Sequence, residues 1–254
     1  MKIANPNPLS PPLHKRRRNL LENGYEIINC DNIAALNLVK KEYYKIAKSF
    51  GINGDLKSIS KLDEKTTNQI HLKFNKESKN INLNLINAFY KSINKYLKNN
   101  IYLQRQPYLR LKKYNLKVAA TVPHNDYDFG HASLGFNLWT PLFDIKDNVG
   151  IYIYSIQDSK KIYKKFKFDT HLENHLKKLK NKIKKNYINL NYGQAIFFSN
   201  LCVHGASIIN KKINRVSTNI HLQSQNVPMG DKGSELFTLA YFQKTKKKYF
   251  IQGI

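Results

Sequence analysis

The sequence predicts a mainly β jelly-roll barrel flanked by helices, and three observations carry that prediction. From Ile101 onward apolar and polar residues alternate with a period of two, the mark of strands with one buried face. The strand candidates are short and are separated by turns containing Gly and Asn, as in barrels and jelly rolls. Before Ile101 the apolar spacing is instead helical. At 254 residues the chain is long enough for one sizeable domain with a full core.

Residues 1–20 carry Pro6, Pro8, Pro11 and Pro12, then Lys15-Arg16-Arg17-Arg18, and read as an extended basic arm. Residues 21–254 read as a single domain, with 21–100 a helical buttress and 101–254 the jelly-roll core. Asp31 to Ser49 opens on an N-cap and places Ile33, Leu36, Leu38, Val39, Tyr43 and Ile46 at helical spacing, with Gly51 closing the helix. Residues 52–79 are polar and show no decisive period. Leu83 to Leu97 is a second helix, with Leu85, Ala88, Phe89, Ile93 and Tyr96 on one stripe. The strand candidates are Tyr102 to Tyr114, His131 to Leu142, Gly150 to Ile156, Gln194 to Phe198, Val203 to Ile209 and Arg215 to Gln223. Between them, the Lys-rich insert at 160–185 places Leu172, Leu176, Leu179 and Ile183 at helical spacing, as in a helix lying over the barrel.

Composition excludes some classes. No run of about 18 apolar residues exists, so no membrane span is expected. Met1 to Ser10 lacks an apolar core, which argues against a secretory signal. Cys30 and Cys202 make no disulfide framework, and a buried thiol at Cys202 fits a reducing, cytoplasmic setting. The net charge is +26, which raises the question of nucleic acid. The 43 basic residues, however, are six Arg and 37 Lys, and Lys, Asn and Ile crowd the whole chain. Nucleic-acid recognition favours Arg. The charge is therefore read as compositional bias, on a surface that would still attract an acidic small molecule.

Three segments carry chemistry. His124-Asn125-Asp126 supplies an imidazole and a carboxylate two residues apart, which face the same side of a strand. His204 follows far downstream, after an apolar strand and a turn. Two His and one carboxylate on one face of an ion, with other positions open, form the ligand set of non-haem Fe(II) oxygenases. Arg215-Val216-Ser217 then places a guanidinium and a hydroxyl where a dicarboxylate needs an anchor. Arg215, Ser217, Asn219 and His221 alternate with Val216, Ile220 and Leu222, so one strand presents a polar row to a cavity and an apolar row to the core.

On His124-x-Asp126, Asn137-Leu138-Trp139-Thr140-Pro141-Leu142, Gly193-Gln194-Ala195-Ile196-Phe197-Phe198, His204-Gly205 and Arg215-x-Ser217, the chain resembles the 2-oxoglutarate/Fe(II) dioxygenases of the phytanoyl-CoA-dioxygenase-like superfamily. The stretch runs from about Gln104 to Gln223, roughly half the chain. Within that superfamily it is most similar to the oxygenases of bacterial sugar and surface-carbohydrate gene clusters, where Gly-His follows HxD as Gly130-His131 does here. The resemblance implies a double-stranded β-helix, cupin-like fold. It implies Fe(II) held by His124, Asp126 and His204, with 2-oxoglutarate and O2 as co-substrates. It assigns Arg215 and Ser217 to 2-oxoglutarate, with Asn137 and Arg110 as further contacts to it. Arg110, Lys112 and Tyr114 alternate just before HxD, and polar residues there reach co-substrate or substrate. Tyr127, His131, Trp139 and His221 are the expected substrate contacts. His221 stands where relatives often carry a second Arg.

These residues predict an oxygenase, a hydroxylase in particular, acting on a small polar metabolite, and the resemblance implies a sugar, nucleotide-sugar or surface-glycan precursor as its class. Two alternatives are an oxygenase of nucleic acid and a non-catalytic cupin-like binding protein. The intact HxD, His and Arg-x-Ser set argues against the latter.

Overall fold

A computed structural model describes residues 18–98, 100–113, 123–166, 183–206 and 213–251, together with Leu176. The basic arm up to residue 17, Tyr114 and most of the Lys-rich insert lie outside the described residues.

The N-terminal part runs α1 (Arg18–Asn23), β1 (Tyr25–Asn29), α2 (Ile33–Lys48), α3 (Leu56–Ile59), α4 (Glu64–Lys76), α5 (Ser78–Ala88) and α6 (Tyr90–Leu97). Three of these helices start on side-chain caps. Asn32, Asp55 and Asp63 accept from the amides of Ala35, Ser58 and Thr66, satisfying donors that a helix start leaves open. The polar stretch 52–79 is thus mostly helical. Only Thr67, Ile70 and Phe74 of α4 are buried, which is too thin a stripe to announce a helix. The stretch 21–100 is also not purely helical, because β1 pairs along its whole length with the strand at Gln194–Ser199, far away in sequence.

The C-terminal part contains β2 (Asn100–Gln104), β3 (Tyr108–Lys112), β4 (Phe136–Pro141), β5 (Ile151–Ile153), α7 (Ile156–Phe166), β6 (Asn186–Tyr187), β7 (Gln194–Ser199), β8 (His204–Ala206), β9 (Arg215–Ser224), β10 (Phe237–Gln243) and β11 (Lys248–Ile251). The larger sheet is antiparallel in the order β1-β7-β4-β9-β2-β10-β11, with β3 also pairing β9; the smaller is β6-β5-β8. Tyr102 to Tyr114, expected as one strand, breaks at Arg105-Gln106-Pro107. Proline offers no ladder donor there, and the Arg105 amide turns to the Leu236 carbonyl instead (2.8 Å). Residues 131–135 form a turn before β4, so His131 stands outside the strand. A helix, α7, covers Ile156–Phe166, while the helical spacing expected at Leu172 and Leu179 lies outside the described residues. Leu176 and Ile183 pack with Tyr152, Tyr154, Ile162 and Val203 against the small sheet.

The two faces of the larger sheet differ. One buries Leu109, Leu138, Val216, Ile220 and Leu222 against Leu36, Val39, Tyr43, Ile70, Phe74 and Phe89 of the helices. On the other, Trp139, Ile196 and Phe198 meet Ile151 and Ile153 of the small sheet. The polar row of β9 lies on this second face, between the sheets. No described helix is long and apolar enough to cross a membrane.

Candidate metal centre and co-substrate cavity

Backbone pairing brings the chemistry together. His124 and His204 form an antiparallel bridge, each amide donating to the other's carbonyl at 3.0 and 2.8 Å. Strand geometry ends there. After His124 the chain turns, and Asp126 precedes a 3-10 turn at Tyr127–Phe129 that closes on Gly130. The two side chains still converge. His124 Nε2 lies 3.8 Å and His204 Nε2 3.9 Å from Asp126 Oδ1. One ligand atom from each of the three residues falls within 4.8 Å of the others.

Each ligand is held from behind. His204 Nδ1 is 3.1 Å from the Cys202 carbonyl. A carbonyl only accepts, so Nδ1 carries the proton and Nε2 presents a lone pair. Asn137 donates to Asp126 Oδ2 (3.2 Å). Phe129 packs edge-on to His124 with centroids 5.2 Å apart, and Phe198 does the same to His204 at 4.7 Å. A lone pair facing a buried carboxylate is unfavourable unless a cation lies between them. The arrangement therefore fits a divalent metal, with the supporting contacts such sites need. Burial pushes the Asp126 carboxyl up, while His124, the Asn137 hydrogen bond, Lys232 and Arg110 pull it down.

The three residues open into a cavity of about 310 Å³, within the range of roughly 300–1,000 Å³ usual for small-molecule sites. Strand register builds its polar wall. On β9, Asn219 faces Tyr108 of β3 and Trp139 of β4, Ser217 faces Arg110, Arg215 faces Lys112, and His221 faces Asn137. Arg215 is 4% exposed and lies at the cavity wall. Its Nη1 donates to the carbonyls of Val149 (3.1 Å) and Gly150 (2.5 Å). A side chain at Gly150 would meet the Ile188 carbonyl at 2.5 Å, so glycine lets the Ile188 backbone pack closely behind this segment. Arg215 Nε and Ser217 Oγ are buried with no partner, and among the described residues no carboxylate pairs with Arg215. Burial lowers the Arg215 pKa to about 10, with Arg110 adding to the shift, so it remains a cation at neutral pH. Burial, then Arg215, lowers Lys112 to about 8. A buried guanidinium without a counter-charge is costly, and a bound carboxylate would relieve it.

Arg110, Asn137, Trp139, His131 and His221 all line the cavity. His131 stacks on His221, with centroids 3.6 Å apart. His221 also lies 3.3 Å from Asn200 Oδ1 and 3.5 Å from Asn137 Nδ2. Tyr127 is 46% exposed on the 3-10 turn, and Phe129 rather than Tyr127 lines the cavity. Tyr108, Asn219, Phe198, Ile151 and Lys232 complete much of the lining. Of these, Asn219 and Tyr108 could have been found by following the strand alternation. Nothing in the sequence marks Lys232, which arrives from a loop.

No protein-family model matches the chain, and no curated protein does. Solved structures do match its fold. The epimerase SnoN, in complex with Fe3+, alpha ketoglutarate and nogalamycin RO, is similar with a TM-score of 0.52 at 11% identity, covering 87% of each chain. The non-heme monooxygenase ThoJ, in its apo form, gives 0.53 at 13%, covering 85% of this chain and 79% of that one. EctD from S. alaskensis, with 2-oxoglutarate and 5-hydroxyectoine, gives 0.51 at 12%, covering 89% and 80%. The chain shares the fold of these non-heme enzymes.

Proposed function

We propose that this chain is an Fe(II)- and 2-oxoglutarate-dependent oxygenase built on a double-stranded β-helix jelly roll. The observation that carries the proposal is one cavity holding both the His124–Asp126–His204 cluster and the buried, uncompensated Arg215. The matched structures of SnoN and EctD, which hold the iron or 2-oxoglutarate named above, support it. Hydroxylation of a small polar metabolite is the reaction we infer, and EctD's 5-hydroxyectoine complex is in keeping with it. A sugar, nucleotide-sugar or surface-glycan precursor is the substrate class that the sequence resemblance favours.

When bound, iron and 2-oxoglutarate with O2 supply the oxidising chemistry, which belongs to the cofactor and not to the protein. The chain's own residues bind and orient. His204, fixed in one tautomer by the Cys202 carbonyl, and Asp126, steadied by Asn137, present ligand atoms without rearrangement. Arg215 would hold the distal carboxylate by a charge-assisted pair, with the Ser217 hydroxyl beside it. Arg110 adds a second cation on the same wall. Trp139, Ile151 and Phe198 give the cavity an apolar side that limits water near the reacting group.

Anaerobic addition of Fe(II) and 2-oxoglutarate should produce a weak visible absorption band, and His204→Ala should remove it with the far-UV circular dichroism unchanged. An unaltered band in a folded His204→Ala protein would place the metal elsewhere. Succinate release from a metabolite pool then identifies the substrate.

A further inference from the structure

Lys232 lies between β9 and β10 and takes no part in the site as assigned above, yet its side chain lines the cavity. Its backbone is fixed in place. The Lys232 amide donates to the Gly130 carbonyl (3.0 Å), and the Gly233 amide donates to the Gly230 carbonyl (3.0 Å), closing a tight turn. A β-carbon at Gly230 would stand 2.3 Å from the Gly130 carbonyl oxygen, so the turn is seated directly on the segment that follows Asp126. The ammonium is 2.9 Å from His131 Nε2. An ammonium can only donate, so the imidazole accepts and is neutral. The His131 ring, 3% exposed, is backed by its stack on His221. Among the described residues no carboxylate pairs with Lys232, and two of its three N–H donors have no partner.

The charges around the cavity are unequal. Arg110, Arg215 and Lys232 line it against one carboxylate, Asp126. On the oxygenase reading above, on which this step rests, iron(II) and the 2-oxoglutarate dianion cancel. Two positive charges then remain. Arg215 and Arg110 are engaged by the co-substrate, and Lys232 is left over beside the metal ligands. We propose that Lys232, backed by His131, docks a phosphate group of the substrate, and that the substrate is a phosphorylated small molecule. A phosphate monoester is a dianion and matches the residual charge, and its oxygens accept the donors that Lys232 leaves unused.

Inorganic phosphate is the probe. Calorimetry is run on protein saturated with Mn(II) and 2-oxoglutarate, so that the Arg215 end is filled. Wild-type protein is expected to bind phosphate, Lys232→Met to bind it at least about tenfold more weakly, and Lys232→Arg to recover most of the affinity. The far-UV circular dichroism and thermal midpoint of Lys232→Met should match wild type, which shows the variant folded. Fast phosphorus-31 relaxation by Mn(II) is expected in wild type, because the phosphate shares the metal's cavity. Equal phosphate affinity in wild type and Lys232→Met, or no binding in wild type, overturns the proposal. Failure of Mn(II) to bind would instead sink the oxygenase reading, and phosphate is then titrated into the metal-free protein with the same variants and judged by the same outcomes.

Discussion

Arg215 concentrates the chemistry of the cavity in one side chain. It is buried, cationic and held along one edge by two backbone carbonyls, while its Nε has no partner. Removing it deletes the charge that a dicarboxylate would meet. Loss of one partner from a buried charge pair costs on the order of 2–5 kcal/mol. Arg215→Ala should therefore weaken 2-oxoglutarate by at least about tenfold while Mn(II) affinity stays near wild type. Both titrations are made by calorimetry, and unchanged 2-oxoglutarate affinity would remove Arg215 from the co-substrate site. Arg215→Lys should recover little, because a point charge does not reproduce the planar fork.

At the scale of elements, β7 is the joint between the helices and the cavity. Phe197 is fully buried on the helix side, stacked between Tyr96 (5.6 Å) and Phe136 (4.9 Å), while its neighbour Phe198 faces the other way and packs on His204. Phe197→Ala should cost about 3–5 kcal/mol, as large truncations in packed cores do. Denaturant unfolding measures this, and a cost below about 1 kcal/mol would mean the site collapses around the gap. The same strand shows what was legible in the sequence. Its unbroken apolar run and the turn before His204 could be read directly, and so could the alternation that aims Arg215, Asn219 and His221 into one cavity. Other elements were hidden for physical reasons. β1 is five residues long with one buried position, so its pattern is too short to read, and its pairing with β7 spans most of the chain. The hairpin of β10 and β11 lies amid lysines and is only partly buried, so it offered no alternation. The hairpin is docked on the helices: Asn87 of α5 accepts from the Tyr249 amide and donates to its carbonyl. The cavity was legible where its residues sit on strands or in the HxD and Gly-His segments, and illegible where a loop without such a motif supplies them, as with Phe129 and Lys232.

Among the described residues the histidines lie mostly inside. In the metal-free chain, burial lowers His71 and His204 to about 4, His131 to about 3, and His221 well below the ordinary value. In the unfolded chain each titrates near 6.5. Below that pH the unfolded state takes up protons that the native state refuses, so stability is fully present above about 6.5 and is lost as pH falls toward 4. Asp126 and Asp31, both raised by burial, act in the opposite sense, but they are two groups against four. The thermal midpoint measured in EDTA should therefore drop between pH 7 and pH 4.5. His71→Leu should flatten part of the slope without touching the cavity. A midpoint that rises on acidification would contradict the buried, neutral assignment.

The reciprocal hydrogen bonds between His124 and His204 have a dynamic consequence. The two amides that guard this bridge belong to the same residues whose side chains converge on Asp126, so the backbone cannot part there without pulling the two imidazoles apart. Opening of the bridge and release of an ion become a single event. Hydrogen–deuterium exchange of these two amides should then proceed through one common motion, at equal rates once intrinsic chemistry is divided out. Zn(II), which accepts the same imidazole and carboxylate donors, should slow both by the same factor, set by its concentration relative to its dissociation constant. Departure of the ion would be timed by a fluctuation of the fold, giving a site that empties slowly even where equilibrium affinity is modest.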